Sequence, residues 1–534
     1  MKASLSALFF FIIIYPAITV PIHAQFRQSQ SYENGLVVTE EIYASEVGKQ
    51  ILQRGGNAID AAVAVQFALA VTLPQSGNIG GGGFMIIHLE DGSTTALDFR
   101  ESIVENSRQN NRRNLKQIPI PGTVDGMVRA LEHHGRMPLE LVLQPAIDLA
   151  RNGFYLSYQQ AQILNAYADE FYDHPSSITY FQKENGVPFK EGDLFMQKDL
   201  ANVLEQIAQY GRDGFYSGEV ADKIIQSARS NRGSLTRSDL YNYRSIWRTP
   251  IQVEYDDYTI HTVPSPSLGG VSFTQTLQLV QDYPVYRMGH NSANYIHLIS
   301  EALNATFSGL PTNESQTTLS KRSRSNRSND SISQQFSRSF SMDTIASRNG
   351  SNSEFDQFNN SSETTHFSVI DKEGNAVSVT TTLNGPFGSF LAVEGAGFLL
   401  SKTPSTITTS DSNRLISLMA PSIVSQNGKA RLAFGATGGK EIVSALVQTF
   451  LNQFLFKMNT QEAISAPRFH HNGQENYIYY EAFGISPDTQ RLLLAKGHKL
   501  RTHQMGRVQM IYVDHDGLKW SGVDPRSDGF ASGY

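Results

Sequence analysis

Residue 364 marks the sharpest change of pattern in this 534-residue chain. The preceding residues Asn349–Glu363 (NGSNSEFDQFNNSSE) show neither helical nor strand periodicity. The following run, TTHFSVIDKEGNAVSVTTTL, alternates around a polar turn. This pattern predicts two strands, His366–Ile370 and Ala376–Leu383, joined by the loop Asp371–Asn375. We therefore expect an antiparallel hairpin directly after an irregular segment.

The loop length sets the register of that hairpin. If Ile370 faces Ala376, each step away from the loop pairs the next two residues, and Thr364 faces Thr382. Directly opposed side chains have Cβ atoms roughly 4.5–5.5 Å apart, which brings the two hydroxyls within reach of each other. Cleavage between Glu363 and Thr364 would leave a threonine that carries both a hydroxyl nucleophile and an amine base. The alternative is that both threonines are ordinary β-branched strand residues.

Composition limits the classes of partner. The chain is 40% hydrophobic and 18% charged with a net charge of −6, and it has no basic stripe with interleaved aromatics, so we expect no nucleic-acid partner. It contains no cysteine, which excludes disulfides, a thiol nucleophile and a thiolate metal site.

The N-terminus has the pattern of a secretory signal. Lys2 is followed by the short apolar run Leu8–Tyr15 and by a cleavage-site pattern at Pro21–Ala24. No later run is long enough to span a bilayer. We therefore expect a periplasmic or secreted protein with no stable membrane span after signal removal. An uncleaved N-terminal anchor is the alternative.

A second compositional border separates two folded regions. Ser308–Glu363 is rich in Ser, Asn and Arg and should bury too little surface to become ordered. We expect a mobile, cleavable linker, and a basic tail that binds phosphate or a surface is the alternative. The predicted organisation is a signal at 1–24, a first region at 25–307, a linker at 308–363 and a second region at 364–534. Both regions mix helix and strand patterns, which is typical of layered α/β or α+β folds. The predicted elements are helices at Ala44–Leu73 (broken at Gly55-Gly56), Leu139–Arg151, Lys198–Tyr210 and Glu441–Lys457, and strands at Ile251–Tyr255, Tyr258–Val263, Ala430–Phe434 and Met510–Val513.

Two glycine runs lie beside strand patterns. Gly80–Gly83 precedes the strand-like FMIIHL and lacks the Lys-Ser/Thr of a phosphate loop, so it argues against nucleotide binding. It predicts either close backbone approach or turns that need positive φ, beneath a ligand site. The run GATGGK at 435–440 follows a strand and precedes a helix that should begin near Glu441. The N–H groups of Gly438 and Gly439 could hold an anion or a developing oxyanion. A plain strand-to-helix turn is the alternative.

Arg100 stands at the end of the strand-like TTALDF, where an arginine can bind a carboxylate with two hydrogen bonds. The alternative is a surface ion pair with Glu101 or Asp98. His133-His134 and His470-His471 are adjacent pairs rather than i,i+4 pairs. We interpret them as solvated or capping histidines and expect no metal site.

Together these stretches resemble the γ-glutamyltransferase family, whose members are self-cleaving N-terminal-nucleophile hydrolases. The resemblance runs from about Gly35 to Tyr534. It implies an α+β fold, a four-layer αββα sandwich formed jointly by a large and a small chain from one precursor, with no cofactor. The matching stretches are GGNAIDAAVAVQFALAVTLPQSGNIGGGGFM, ALDFRE, PGTVDGM, ETTHFSVIDKEGNAVSVTTTLN, APRFHH and DPRSDGFASGY.

The resemblance also implies a role for each matching residue. Thr364 would be the nucleophile and the new N-terminus of the small chain, after cleavage at Glu363. The substrate would be a glutathione-like γ-glutamyl amide, and the acyl acceptor would be water, an amino acid or a peptide. The other matching residues would hydrogen-bond near the nucleophile (Thr382, Asn384), form the oxyanion hole (Gly438, Gly439) and bind the α-carboxylate of the substrate (Arg100, Ser417).

Three departures from the family pattern affect substrate recognition more than the nucleophile. Phe398–Ser410 reads FLLSKTPSTITTS, without the acidic residues that hold the substrate's α-amino group in the family. Leu418 replaces the second serine of the carboxylate clamp, and the helix-rich end of the large-chain region is shortened. Two alternatives therefore stand beside a γ-glutamyl enzyme: an amidase or acylase of the same fold with another acyl preference, and a secreted non-catalytic binding protein.

Overall fold

Two seven-stranded sheets form the centre of the molecule. The computed structural model describes residues 28–104, 118–308, 327–345, 364–403, 413–473 and 476–534. The strands are β1 (Ser31–Tyr32), β2 (Leu36–Thr39), β3 (Gly82–His88), β4 (Thr94–Asp98), β5 (Phe154–Tyr155), β6 (Leu194–Phe195), β7 (Ile246–Arg248), β8 (Ile251–Tyr255), β9 (Tyr258–Thr262), β10 (Thr364–Ile370), β11 (Ala376–Thr382), β12 (Ser422–Gln426), β13 (Lys429–Ala436), β14 (Phe469–His471), β15 (Tyr477–Tyr480), β16 (Lys499–Thr502), β17 (Val508–Val513), β18 (Lys519–Val523) and β19 (Phe530–Gly533).

The first sheet has the order β19-β2-β10-β11-β3-β4-β7 and the second has the order β1-β18-β17-β13-β12-β9-β8. Both sheets therefore combine strands from before and after residue 364. The helices are α1 (Ile42–Gln53), α2 (Ala58–Thr72), α3 (Thr123–His134), α4 (Leu139–Asn152), α5 (Tyr158–Ala166), α6 (Pro175–Phe181), α7 (Lys198–Tyr210), α8 (Asp213–Tyr216), α9 (Gly218–Ser230), α10 (Arg237–Asn242), α11 (Leu268–Val280), α12 (Val285–Met288), α13 (Ala293–Ser308), α14 (Arg327–Ser339), α15 (Glu441–Phe450), α16 (Thr460–Ser465) and α17 (Pro487–Ala495).

Three apolar cores define four layers. One core joins α2 to the outer face of the first sheet, where Phe67 packs in the same cluster as Phe367. A small core between the sheets includes Phe84 and Ala433. The third joins the second sheet to α11, α13 and α15 and includes Phe434. Because Ala433 and Phe434 are neighbours on β13, strand alternation directs them to opposite faces. The predicted αββα sandwich is confirmed.

The break between the first two helices follows the predicted glycines. Gly55 has φ +94°, a conformation that favours glycine, and α1 has already ended at Gln53. Asn57 and Asp60 then form a capping box that starts α2. Every residue of α2 is buried, because helices lie on one side of it and the first sheet on the other. The other predicted helices and strands are confirmed within a few residues, except that α15 ends at Phe450 and continues as a π-turn over Leu451–Leu455.

The expectation that the whole linker is unordered is wrong in part. Arg327–Ser339 forms α14, and Phe336 on this helix is only 4% exposed. Phe336 stacks on Phe340, and both rings contact Tyr283 edge-on. These aromatic residues give α14 enough apolar surface to pack, although the average composition of 308–363 is polar. The predicted signal at 1–24 and the bond before Thr364 lie outside the described residues. Within the described ranges, no helix has the length and apolar character needed to cross a membrane.

Candidate active site

The central hairpin has the predicted register. β10 and β11 pair from Ile370↔Ala376 at the loop to Thr364↔Thr382 at the open end. Asp371 holds the loop, since its carboxylate accepts hydrogen bonds from the backbone N–H of Gly374 and Asn375 at 3.0 and 2.9 Å. Thr364 is the first residue of β10 and only 3% of it is exposed. The confirmed register therefore places the two predicted hydroxyls opposite each other in a buried position.

The first glycine run lets β3 lie against β11. The strands pair with Gly82 opposite Thr382 and Gly83 opposite Thr381. A Cβ atom added to Gly81 would lie 2.1 Å from the carbonyl oxygen of Thr382, and one added to Gly83 would lie 2.2 Å from that of Thr380. Only residues without a side chain fit at these two positions, so the prediction of close backbone approach is confirmed.

His366 connects the hairpin to the second sheet. Its ring lies so close to Gly435 that an added Cβ would be 2.3 Å from Nδ1. The ring is fully buried and contacts the hydroxyls of Thr380 and Ser368 at 2.9 and 3.1 Å. Burial disfavours the charged ring and lowers the pKa of His366 to about 3. A neutral imidazole therefore fills the layer between the sheets, two residues from Thr364.

Two contacts establish how the hairpin lies on β13. Ser378, which pairs with Ser368, donates to the carbonyl of Phe434 at 3.0 Å, whereas His366 lies against Gly435. Residues of β10 that are closer to Thr364 therefore lie beside residues of β13 that are closer to its C-terminal end. The open end of the hairpin and the turn that follows β13 thus lie at the same end of the sandwich.

That turn contains Gly438 and Gly439, with φ of +114° and +63°. A Cβ at Gly438 would lie 2.7 Å from the Cα of Gly506, so both conformation and space favour glycine there. The carbonyls of Gly438 and Gly439 accept from the N–H groups of Glu441 and Ile442 at 3.2 and 3.3 Å, where α15 begins. A helix start preceded by glycine amides has the chemistry needed to stabilise an oxyanion.

Arg100 belongs to a buried polar network rather than to the surface. Its guanidinium donates to Glu101 and to Asn384 Oδ1, each at 2.5 Å, and to the carbonyl of Leu415 at 3.3 Å. Arg100 is 3% exposed and Glu101 is fully buried. The interpretation as a surface ion pair is therefore wrong, because the chain returns over this pair from residue 413 onwards. Asp98 pairs with Arg248 instead.

Asn384 links this network to the hairpin. Its backbone N–H donates to Thr382 Oγ1 at 3.0 Å, and its side-chain amide donates to Glu101 and Ser401 at 3.0 and 2.7 Å. Ser401 in turn donates to Glu101 at 2.6 Å. A short series of contacts thus runs from the residue opposite Thr364 to Arg100. Glu101 was expected only as a surface ion-pair partner of Arg100, and no role was predicted for Ser401.

Ser417 lies near the network but not in it. It is two residues beyond Leu415, and its hydroxyl accepts from the N–H of Met419 at 3.1 Å. Leu418 is 5% exposed and packs in the core of the second sheet. The residues 404–412, which include much of the segment without carboxylates, lie outside the described part of the chain. The structure therefore brings Arg100 and Asn384 together and leaves Ser417 beside them.

The second histidine pair is buried, so its interpretation as solvated or capping was wrong. His470 lies in β14 and contacts Ser444 Oγ at 2.6 Å, and burial lowers its pKa to about 4. Near it, Glu441 contacts His503 at 3.2 Å. Burial alone would raise the pKa of Glu441, but the contact with His503 and the other nearby hydrogen bonds and charges together outweigh it, so the pKa is lowered. The other pair, His133-His134, lies in the last turn of α3 as expected.

Comparison with known proteins supports one family. Residues 44–534 match the family model of gamma-glutamyltranspeptidase. The chain is 37% identical over 540 residues to the glutathione hydrolase proenzyme of Escherichia coli K12, covering 94% of this chain and 92% of that protein. It is 30% identical over 544 residues to the acylase ACY 1 proenzyme of Pseudomonas sp. SE83, covering 96% of each.

The fold also matches a solved structure. The crystal structure of cephalosporin acylase from Bacillus halodurans superposes with a TM-score of 0.81 and covers 99% of both chains, at 23% identity. At that identity the match establishes the sandwich fold alone.

Proposed function

The chain belongs to the gamma-glutamyltranspeptidase family, and we propose that it is a self-cleaving enzyme that uses Thr364 to hydrolyse or transfer a γ-glutamyl group. The precursor would divide into a large chain from residue 25 to Glu363 and a small chain from Thr364 to Tyr534. Strands from both chains would remain interleaved in each sheet. The signal-like segment at 1–24 supports a periplasmic or secreted location.

The first chemical step would create the nucleophile. The Thr364 hydroxyl attacks the carbonyl carbon of Glu363, and the peptide nitrogen leaves as the amine of Thr364. Water then hydrolyses the resulting ester, which releases the carboxylate of Glu363 and restores the hydroxyl. Thr364 now carries an amine that can accept the proton of its own hydroxyl.

The second step would form the acyl-enzyme. The Thr364 oxygen attacks the γ-carbonyl of the substrate, the amine takes the hydroxyl proton, and the same proton passes to the leaving amine. Negative charge develops on the carbonyl oxygen, where the amides of Gly438 and Gly439 would stabilise it. Water or an amino acid then attacks the ester and regenerates Thr364.

Arg100 would hold the α-carboxylate of the substrate. Three of the five N–H groups of an arginine are engaged in its contacts with Glu101, Asn384 and Leu415, which leaves two for a ligand carboxylate. Glu101 and Ser401 would act as positioning residues, because they hold Asn384 and the guanidinium in place.

The observation that supports this proposal most is the continuity of the site. Thr364 faces Thr382, Thr382 accepts from Asn384, and Asn384 accepts from Arg100. A decayed binding protein would have no need to retain a nucleophile, its facing hydroxyl and a carboxylate-binding cation in one series of contacts.

Thr364→Ala tests the proposal directly. The wild type should give two chains by intact mass, with a new N-terminus at Thr364, and should release the aniline from a γ-glutamyl anilide. The variant should remain a single chain without activity, and Thr364→Ser should still be cleaved because it keeps a hydroxyl.

Thr365→Ala is the matched control. Thr365 is fully buried in the same strand, and its hydroxyl makes no hydrogen bond with the atoms that the structure describes. This variant should be cleaved and active like the wild type. A wild type that stays intact on prolonged incubation would contradict the proposal.

A second candidate is an acylase with another acyl preference. It is favoured by the absence of carboxylates from Phe398–Ser410 and by the 30% identity to an acylase proenzyme. The test compares the wild type on γ-glutamyl and glutaryl anilides, which differ only by the α-amino group. A γ-glutamyl enzyme should prefer the γ-glutamyl compound clearly in kcat/KM, whereas equal values or a preference for glutaryl would favour the acylase.

A further inference from the structure

Three buried side chains form a cluster away from the catalytic hairpin. His297 and Glu301 lie one turn apart on α13, and His498 lies between α17 and β16. One potential ligand atom from each lies within 4.8 Å of the others. The exposed fractions of His297, Glu301 and His498 are 0%, 3% and 2%. His297 and His498 are 201 residues apart, so no local histidine pattern in the sequence indicates this cluster.

The hydrogen bonds of His297 determine which of its nitrogens can bind a cation. Nε2 lies 2.7 Å from the carbonyl oxygen of Ser341. Since a carbonyl can only accept, Nε2 carries the proton and Nδ1 has the lone pair. Nδ1 points at Nε2 of His498, 2.7 Å away. Metal-binding histidines are typically oriented in this way, with the second nitrogen donating to a carbonyl.

We propose that His297, Glu301 and His498 bind a divalent transition-metal ion, for which Zn²⁺ has the best chemical fit. Two imidazoles and one carboxylate are a common zinc ligand set, and they leave one coordination position for water. The Glu301 carboxylate would offset part of the cation's charge inside the protein, where an isolated charge is costly.

Metal binding would require the rings of His297 and His498 to move slightly apart. Two nitrogens on one tetrahedral Zn²⁺ lie roughly 3.3 Å apart, so the rings would separate by about half an ångström. His498 would move its Nε2 proton to its own Nδ1, or release it to solvent if both nitrogens carry one, because a ligand nitrogen must be unprotonated. The affinity should therefore weaken as the pH falls.

The position of the cluster suggests what the ion does. His297 stacks on Phe340 with ring centroids 5.6 Å apart, and the N–H of Ile345 donates to the carbonyl of Lys496 at 3.0 Å. The segment after α14 is thus held against the loop that carries His498. If the chain is cleaved before Thr364, as proposed above, His297 and Glu301 belong to the large chain and His498 to the small chain. The ion would then join the two products of cleavage.

Zinc titration of tag-free full-length protein tests the site. After dialysis against EDTA, the protein should bind one Zn²⁺ per precursor in competition with a chromogenic chelator. Glu301→Gln and His498→Ala should each weaken binding by about 100-fold or more. His133→Ala removes a histidine that is exposed at the end of α3 and should bind Zn²⁺ like the wild type.

The outcomes separate this proposal from the proposed activity. Thr364→Ala should bind Zn²⁺ as tightly as the wild type, whether or not the wild type is cleaved or active. Absence of stoichiometric binding in the wild type, or unchanged affinity in both ligand variants, would overturn the site and indicate a buried hydrogen-bonded histidine pair. Glu301→Gln is nearly isosteric, so it keeps the test decisive if His498→Ala does not fold. In cleaved protein, Zn²⁺ should raise the urea concentration at which the chains separate.

Discussion

The two sides of the candidate site differ in how they are built. The side around the proposed nucleophile Thr364, called the nucleophile side below, consists of paired strands and a glycine turn, and its contacts are set by backbone register. The substrate side around Arg100 depends on side chains from three separate segments, which meet at Glu101, Asn384 and Ser401. By the sequence resemblance, the residues of the first side would match the family pattern, whereas Phe398–Ser410 contains no carboxylate and Leu418 stands where the resemblance implies a second serine. We therefore propose that the first side determines the reaction type and the second side the acyl preference.

Gly438→Ala should have the largest effect on the nucleophile side. The added Cβ would lie 2.7 Å from the Cα of Gly506 and displace the turn that carries the proposed oxyanion donors. We expect kcat to fall by about 10²–10³-fold with little change in KM, measured with a γ-glutamyl anilide. Gly428→Ala is the control, because Gly428 also has a positive φ but open space around it. An equal loss in both variants would assign the effect to backbone strain.

Acid should destabilise the layer beneath the nucleophile. The pKa of His366 is about 3 in the folded protein, well below its ordinary value of 6.5. His366 therefore becomes protonated below about pH 6.5 in the unfolded chain, but only below about pH 3 in the folded chain. The contribution of His366 to the free energy of unfolding is fully present above pH 6.5 and decreases as the pH falls. At pH 5 the decrease is about 2 kcal/mol.

Urea unfolding at pH 7 and pH 5 checks this expectation. His366→Gln, which removes the titrating group, should lose about 2 kcal/mol less than the wild type between the two pH values. Equal losses would show that other groups dominate the acid response.

On the substrate side, Ser417→Ala should change the kinetic constants least of the variants considered. The hydroxyl accepts a hydrogen bond from Met419, which stabilises the loop by about 1 kcal/mol. We expect KM to rise by less than about tenfold and kcat to stay constant. Ser267→Ala is the comparison, since Ser267 donates to the carbonyls of Ser417 and Met419 in the same loop. A much larger rise in KM for Ser417→Ala alone would indicate direct contact with the substrate.

Local patterns predicted the hairpin well because its contacts are close in sequence. The polar turn at Asp371–Asn375 determines the pairing of Thr364 with Thr382, and Gly55-Gly56 marks the break before α2. The glycines at 80–83 predicted close contact with another backbone strand, because a residue without Cβ leaves room for such contact. These inferences need only bond geometry and the alternation of strands.

Burial of charged and titratable groups required the tertiary structure. Arg100 and Glu101 look like surface residues in the sequence, yet the segment beyond residue 413 encloses them. His470 and α14 were also misjudged, since their neighbours come from distant parts of the chain.

The sequence by itself determined the main predicted helices and strands, the register of the β10–β11 hairpin and the family resemblance, because these depend on neighbouring residues and recurring motifs. Only the tertiary structure decided which polar side chains meet inside the protein. It joined Arg100 to Asn384 across 284 residues and His297 to His498 across 201. Such contacts have no local signature, since they arise when separate layers pack and exclude water from the groups between them.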